Sequence, residues 1–110
     1  MHIKQIDEML MANRPFADGF FFSKENTNPD GTVDVTTTEM EDGGRTNAEV
    51  VWNVELKNDH IDWQEAVATV INSESDKYKV GDSVEIEINY GDDTDTVADT
   101  IRQEFDRTNR

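Results

Sequence analysis

Cysteine is absent from the 110 residues, which excludes disulfides, thiolate metal sites and cysteine nucleophiles. Positive charge is scarce. Ten Lys and Arg stand against 25 Asp and Glu, a formal net charge of -15. A field of that sign repels phosphate, so neither direct nucleic-acid binding nor attachment to an anionic membrane is expected. No apolar run approaches the ~18 residues of a spanning helix. The N-terminus also lacks an apolar stretch with a cleavage site. The expected location is the cytoplasm, or the host cytoplasm if the chain is viral.

Catalytic equipment is equally thin. His2 and His60 are the only histidines, and the sequence holds no nucleophile elbow, phosphate loop or dinucleotide glycine pattern. His60 beside Asp62 reads as a turn residue near a helix cap rather than a metal or proton relay. Asp93, Asp95 and Glu104 fall on ligand positions of a calcium loop, but Ala98 stands where that loop needs glycine. A flat sheet in a chain this short leaves little room for a sugar cleft between paired carboxylates. No cofactor, no metal and no enzymatic activity are expected.

Low hydrophobicity with high charge raises the question of disorder. Leu, Ile, Val and Phe sum to 24 of 110 residues, about 22%, just above the ~20% below which disorder becomes the default. The patterning argues for a fold. Two Leu stand against ten Val, seven Ile and eleven Thr, a β-branched bias that favours strands.

Residues 2–13 place Ile3, Ile6 and Leu10 on one helical face, ended by Pro15. A strand is expected over 17–24, with Phe20, Phe21 and Phe22, followed by a turn at Asn28-Pro29-Asp30-Gly31. A second strand over 32–40 alternates Val33, Val35 and Thr37 with polar residues, and Asp42-Gly43-Gly44 turns the chain again. The third strand puts Ala48, Val50, Trp52, Val54 and Leu56 on one face. Asp62 then reads as a helix cap, with Trp63, Ala66, Val67, Val70 and Ile71 at helical spacing. A fourth strand over 79–90 turns Val84, Ile86, Ile88 and Tyr90 inward. The last helix carries Val97, Ala98, Ile101 and Phe105, with residues 105–110 expected as a frayed tail. The expected fold is a single two-layer α+β domain in the order α-β-β-β-α-β-α. Its four-stranded, mainly antiparallel sheet has helices packed on one face.

The charge is uneven. Residues 1–24 are neutral, residues 25–60 carry -7 and residues 61–110 carry -8. Asp82, Glu85, Glu87, Asp92, Asp93, Asp95 and Asp99 follow one another with no intervening base. Glu85 and Glu87, two apart on one strand face, stand roughly 6.5–7 Å from each other. Glu49 and Glu55 occupy the matching face of the third strand. DNA carries one charge per ~3.4 Å of rise on each strand, so a fixed carboxylate grid can occupy a surface built for phosphates. Val51 lies among these acids as an apolar contact point. Phe21, turned away from its neighbours by strand alternation, is a candidate partner or homodimer contact.

These features lead to an acidic protein-binding domain whose partner carries a basic nucleic-acid-binding surface. The logic is that of the inhibitors viruses and mobile elements direct against host nucleases. The competing expectation is a small virion or complex subunit, an assembly component using Phe21 or the N-terminal helix. Plain solubilisation also accounts for an acidic surface. Adaptation to high salt sits poorly with nine Asn and five Lys.

Overall fold

A computed structural model describes residues 21–23 and 26–108. Four strands, β1 (Val33–Glu41), β2 (Thr46–Asp59), β3 (Trp63–Ser73) and β4 (Ser83–Asn89), precede one helix, α1 (Thr94–Thr108). The strands form an antiparallel meander in the order β1-β2-β3-β4. The sheet is curled, and α1 packs against both edge strands, β4 and β1, across its concave side. Two irregularities interrupt the β2–β3 register, between Val51 and Trp52 and between Leu56 and Asn58. Such bulges add local twist and help a sheet to curl.

Alternation writes the core. Val33, Val35 and Thr37 from β1, Ala48, Val50, Trp52 and Val54 from β2, and Val84, Ile86 and Ile88 from β4 all turn inward. Val97, Ile101 and Phe105 of α1 close over them at i, i+4 and i+8. Trp52 lies at the centre, with ring centroids 5.5 Å from Tyr78 and 5.9 Å from Phe105 in edge-on contacts. Its indole N–H donates to Thr37 Oγ1 at 2.9 Å, so the polar handle of a fully buried ring is satisfied.

The segment expected as a helix from Asp62 is strand β3. Gln64, Ala66, Ala68 and Val70 point inward, while Trp63, Glu65, Val67, Thr69 and Ile71 point outward. The run from Ala66 to Ile71 satisfies helical and strand spacing alike. Val67, Thr69, Val70 and Ile71 are β-branched, and pairing with a long neighbour on each side tips the balance to strand. Asp62 caps nothing. It belongs to a tight hairpin in which His60 N–H donates to Trp63 O at 2.9 Å, and its carbonyl accepts from Tyr90 N–H at 3.3 Å. Among the described residues the sheet therefore has no helical return and no parallel pair.

The helix expected over 2–13 lies outside the described residues, as does most of the strand expected over 17–24. Phe21 and Phe22 sit in a turn rather than a strand. The turn at Asn28 to Gly31 forms as expected, with Gly31 at φ 87° and its N–H donating to Asn28 O. Tyr90 falls beyond β4 and is 50% exposed rather than inward. Residues 105–108, placed in the expected tail, belong to the last helix. Helix α1 continues to Thr108, and Phe105 is anchored in the core.

Candidate partner-binding surface

The outward positions of the sheet form its convex face. Register fixes which of them meet. Val67 in β3 lies directly opposite Glu55 in β2 on one side and Glu85 in β4 on the other. Glu65, two residues along β3, lies directly opposite Glu87. Four carboxylates thus surround one half-buried valine. Neighbouring strands stand ~4.8 Å apart, and i to i+2 along a strand is ~6.5–7 Å, so the ring spans roughly 10 Å by 7 Å at the backbone. A depression of about 710 Å³ opens here, bounded by Lys57, Glu65, Val67, Glu85 and Glu87, and continues over the edge of β4 to Thr100 and Arg107 of α1.

The four acids are not equivalent. Glu55 pairs with Lys57 at 3.0 Å. Glu65 Oε1 lies 3.0 Å from His60 Nε2, and that hydrogen bond holds its carboxyl below the usual glutamate range. The His60 ring stacks on Trp63, with centroids 4.1 Å apart and planes 14° from parallel. Glu85 and Glu87 form no ion pair or side-chain hydrogen bond among the described residues.

Two other cations, Arg102 and Lys77, are drawn to acids of β1 and α1. Arg102 reaches Glu39 at 3.1 Å and Asp99 at 3.8 Å. Lys77 lies 2.8 Å from Asp106 and 3.5 Å from Glu39, and its bond to Asp106 holds its ammonium well above the usual lysine range. Arg107 pairs with Glu104 one helical turn back. The helix side is therefore a mixed ion-pair network, and the ring at Val67 keeps a negative excess.

The remaining acids singled out in the sequence have other tasks. Asp82 accepts from Lys79 N–H at 3.0 Å and Asp92 from Asn89 N–H at 2.8 Å, each closing a turn. Asp93 caps α1, accepting from Thr96 N–H at 2.8 Å, and that bond lowers its carboxyl pKa. Asp95 is exposed in the first turn of α1, and Asp99 is exposed beside Arg102. Glu49 is on the convex face but six residues from Glu55 along β2, about 20 Å away. Its backbone N–H donates to Glu74 Oε1. Val51 has Thr36 and Asn72 as cross-strand neighbours rather than acids.

Phe21 is 1% exposed and packs edge-on against Phe22, so it belongs to the core and presents no contact surface. The apolar point ringed by carboxylates is Val67. It was missed because it was assigned to a helix, and Glu65 was missed with it. Among the described residues no group of three or more His, Asp or Glu is placed to hold a metal ion. None of their helices is long and apolar enough to cross a membrane. Compared with protein-family models, curated proteins and solved structures, the chain finds no match.

Proposed function

We propose that the chain is a non-enzymatic acidic binding domain that occupies a basic nucleic-acid-binding surface of a partner protein, as a nucleic-acid mimic. The observation that carries this reading is the ring at Val67. Two of its four carboxylates, Glu85 and Glu87, have no cation of their own, while four described cations are held by other acids. Leaving acids unpaired in a chain of net charge -15 works against compaction. A cationic partner would relieve that repulsion and gain electrostatic steering and specificity from it. Val67 would supply the small desolvated centre around which a polar rim excludes water.

The assembly-subunit reading loses one of its two named contacts, because Phe21 is buried; the other, the N-terminal helix, lies outside the described residues. Affinity capture from a host lysate at low salt tests the proposal. The expected result is recovery of a nucleic-acid-binding protein whose binding to DNA or RNA is blocked by this chain. Glu85→Lys with Glu87→Lys should abolish that recovery. If no nucleic-acid-binding protein is recovered at low salt, the mimic reading is wrong.

A further inference from the structure

The ring at Val67 lies beside a sheet edge that no described strand pairs with, and the two features share residues. Tyr90 N–H donates to Asp62 O, and Val70 N–H donates to Asp82 O. These bonds bracket the β3–β4 ladder and fix which residues of β4 are hydrogen-bonded to β3. Pairs alternate in an antiparallel ladder, so Val84, Ile86 and Ile88 direct their backbone groups at β3. Glu85 and Glu87 direct theirs outward. Asn89 N–H is already taken by Asp92. The outward backbone donors and acceptors of β4 therefore belong to Ser83, at its start, and to the two residues whose carboxylates lack cations. Among the described residues no strand pairs with this edge.

We propose that the edge of β4 takes an extended basic segment of the partner as a fifth strand. This rests on the basic-partner reading given above. Residues of the incoming segment opposite Glu85 and Glu87 project onto the convex face and carry Lys or Arg. The residue between them faces the flank of α1 at Thr100, Glu104 and Arg107, where a small or polar side chain fits. The recognised pattern is therefore basic, any residue, basic, in β conformation. Main-chain bonds give affinity, and alternate side chains give specificity.

Charge complementarity selects this occupant over two others. A second copy pairing through β4 would set glutamates against glutamates, which acts against self-pairing at the edge. Residues 1–24 of the chain hold three acids and three bases, so they bring no net charge to the site.

The test uses the full chain and two short peptides of one composition. In one, lysine alternates with threonine; in the other, the lysines are contiguous. A third peptide is the alternating one, N-methylated at the backbone nitrogens that would face Glu85 and Glu87. Binding is read by fluorescence anisotropy at low salt, and amide exchange at Glu85 and Glu87 by NMR. The alternating peptide should bind roughly tenfold more tightly than either control. It should also slow exchange at Glu85 and Glu87 by roughly tenfold or more. Equal affinity for all three peptides without protection of those amides overturns the added strand and leaves the mimic reading standing, since side-chain charge then suffices. No binding of any peptide overturns the added strand, and failure of lysate capture separately overturns the mimic reading. Protection of both amides before any peptide is added, lost on deleting residues 1–20, shows the chain's own segment on the edge and also overturns the proposal.

Discussion

Replacing Glu87 with lysine should make the protein more stable and functionally inert. Glu87 faces Glu65 directly across the β3–β4 ladder. The flanking pairs 64–88 and 66–86 are the hydrogen-bonded ones, so 65–87 is a non-hydrogen-bonded pair, where side chains approach most closely. Like charges so placed are destabilising, whereas opposite charges directly across a sheet contribute roughly 0.2–1 kcal/mol. His60 occupies Glu65 Oε1, but a carboxylate has several further acceptor sites. Reversing the sign at Glu87 turns a small penalty into a small gain. A domain of this size shifts its midpoint by roughly 4–8 °C per kcal/mol, so Tm should rise by about 2–5 °C. Glu87→Gln, which removes repulsion without adding attraction, should give about half of that.

Differential scanning calorimetry at low ionic strength measures the shift, and the gain should shrink toward 1 M salt, where the screening length falls to ~3 Å. The same variant should lose partner capture. Because it is the more stable protein, that loss cannot be charged to misfolding. A fall in Tm, or a stabilised variant that still captures its partner, refutes the reasoning. In the second case the wild-type residue would have no functional cause for the stability it forgoes.

Thr37→Val keeps shape but strands the buried Trp52 N–H, and urea denaturation should show a loss of about 1–3 kcal/mol. Phe105→Ala removes the ring that ties α1 to Trp52 and Tyr78, and the same assay should show about 3–5 kcal/mol lost. Tyr78 is 1% exposed and its hydroxyl has no partner among the described residues. Burial, with Glu39 nearby, holds its pKa above the ordinary 10.0. Folding thus favours the neutral phenol, so this contribution is intact below pH 10.0 and is lost as pH rises through the folded value. Tyr78→Phe should leave Tm at neutral pH unchanged or slightly raised. It should also remove that loss from the alkaline limb of a pH–stability profile.

The strands with one solvated face were legible in the sequence because alternation is unambiguous there. Val33 to Thr37, Ala48 to Val54 and Val84 to Ile88 each set inward apolar or Thr residues against polar ones, Val51 being the one apolar exception outward. Helix α1 was legible from the spacing of Val97, Ile101 and Phe105 and from the acids at its start. Strand β3 was not, because its outward face carries Trp63, Val67 and Ile71. Both faces then look apolar, and spacing alone cannot separate a strand from an amphipathic helix. That one error propagated. It hid the carboxylate pair Glu65–Glu87, moved the ringed valine from position 67 to 51, and suggested a crossover where the chain makes a hairpin. The grouping of Glu55 with Glu85 and Glu87 was legible as a shared face, but its centre required the intervening strand.

Salt provides the sharpest division between the explanations of the acidity, because stability and binding should respond to it in opposite directions. A chain of net charge -15 repels itself. Raising ionic strength from ~0.01 M to ~0.15 M shortens the screening length from ~30 Å to ~8 Å. Self-repulsion across the convex face falls, so Tm should rise. The same screening weakens attraction to a cationic partner, so capture should fall over the same interval. An assembly subunit held by apolar contacts would gain stability without losing its partner. A salt-adapted protein would stay unfolded at ~0.15 M and fold only near molar salt. A solubilising surface would show the rise in Tm and no partner at any salt. Opposed slopes in Tm and capture are expected from the mimic alone. The double variant Glu85→Lys with Glu87→Lys should abolish the capture and only reduce the slope in Tm, because two Glu→Lys changes bring the net charge of -15 four units closer to zero and leave the chain acidic.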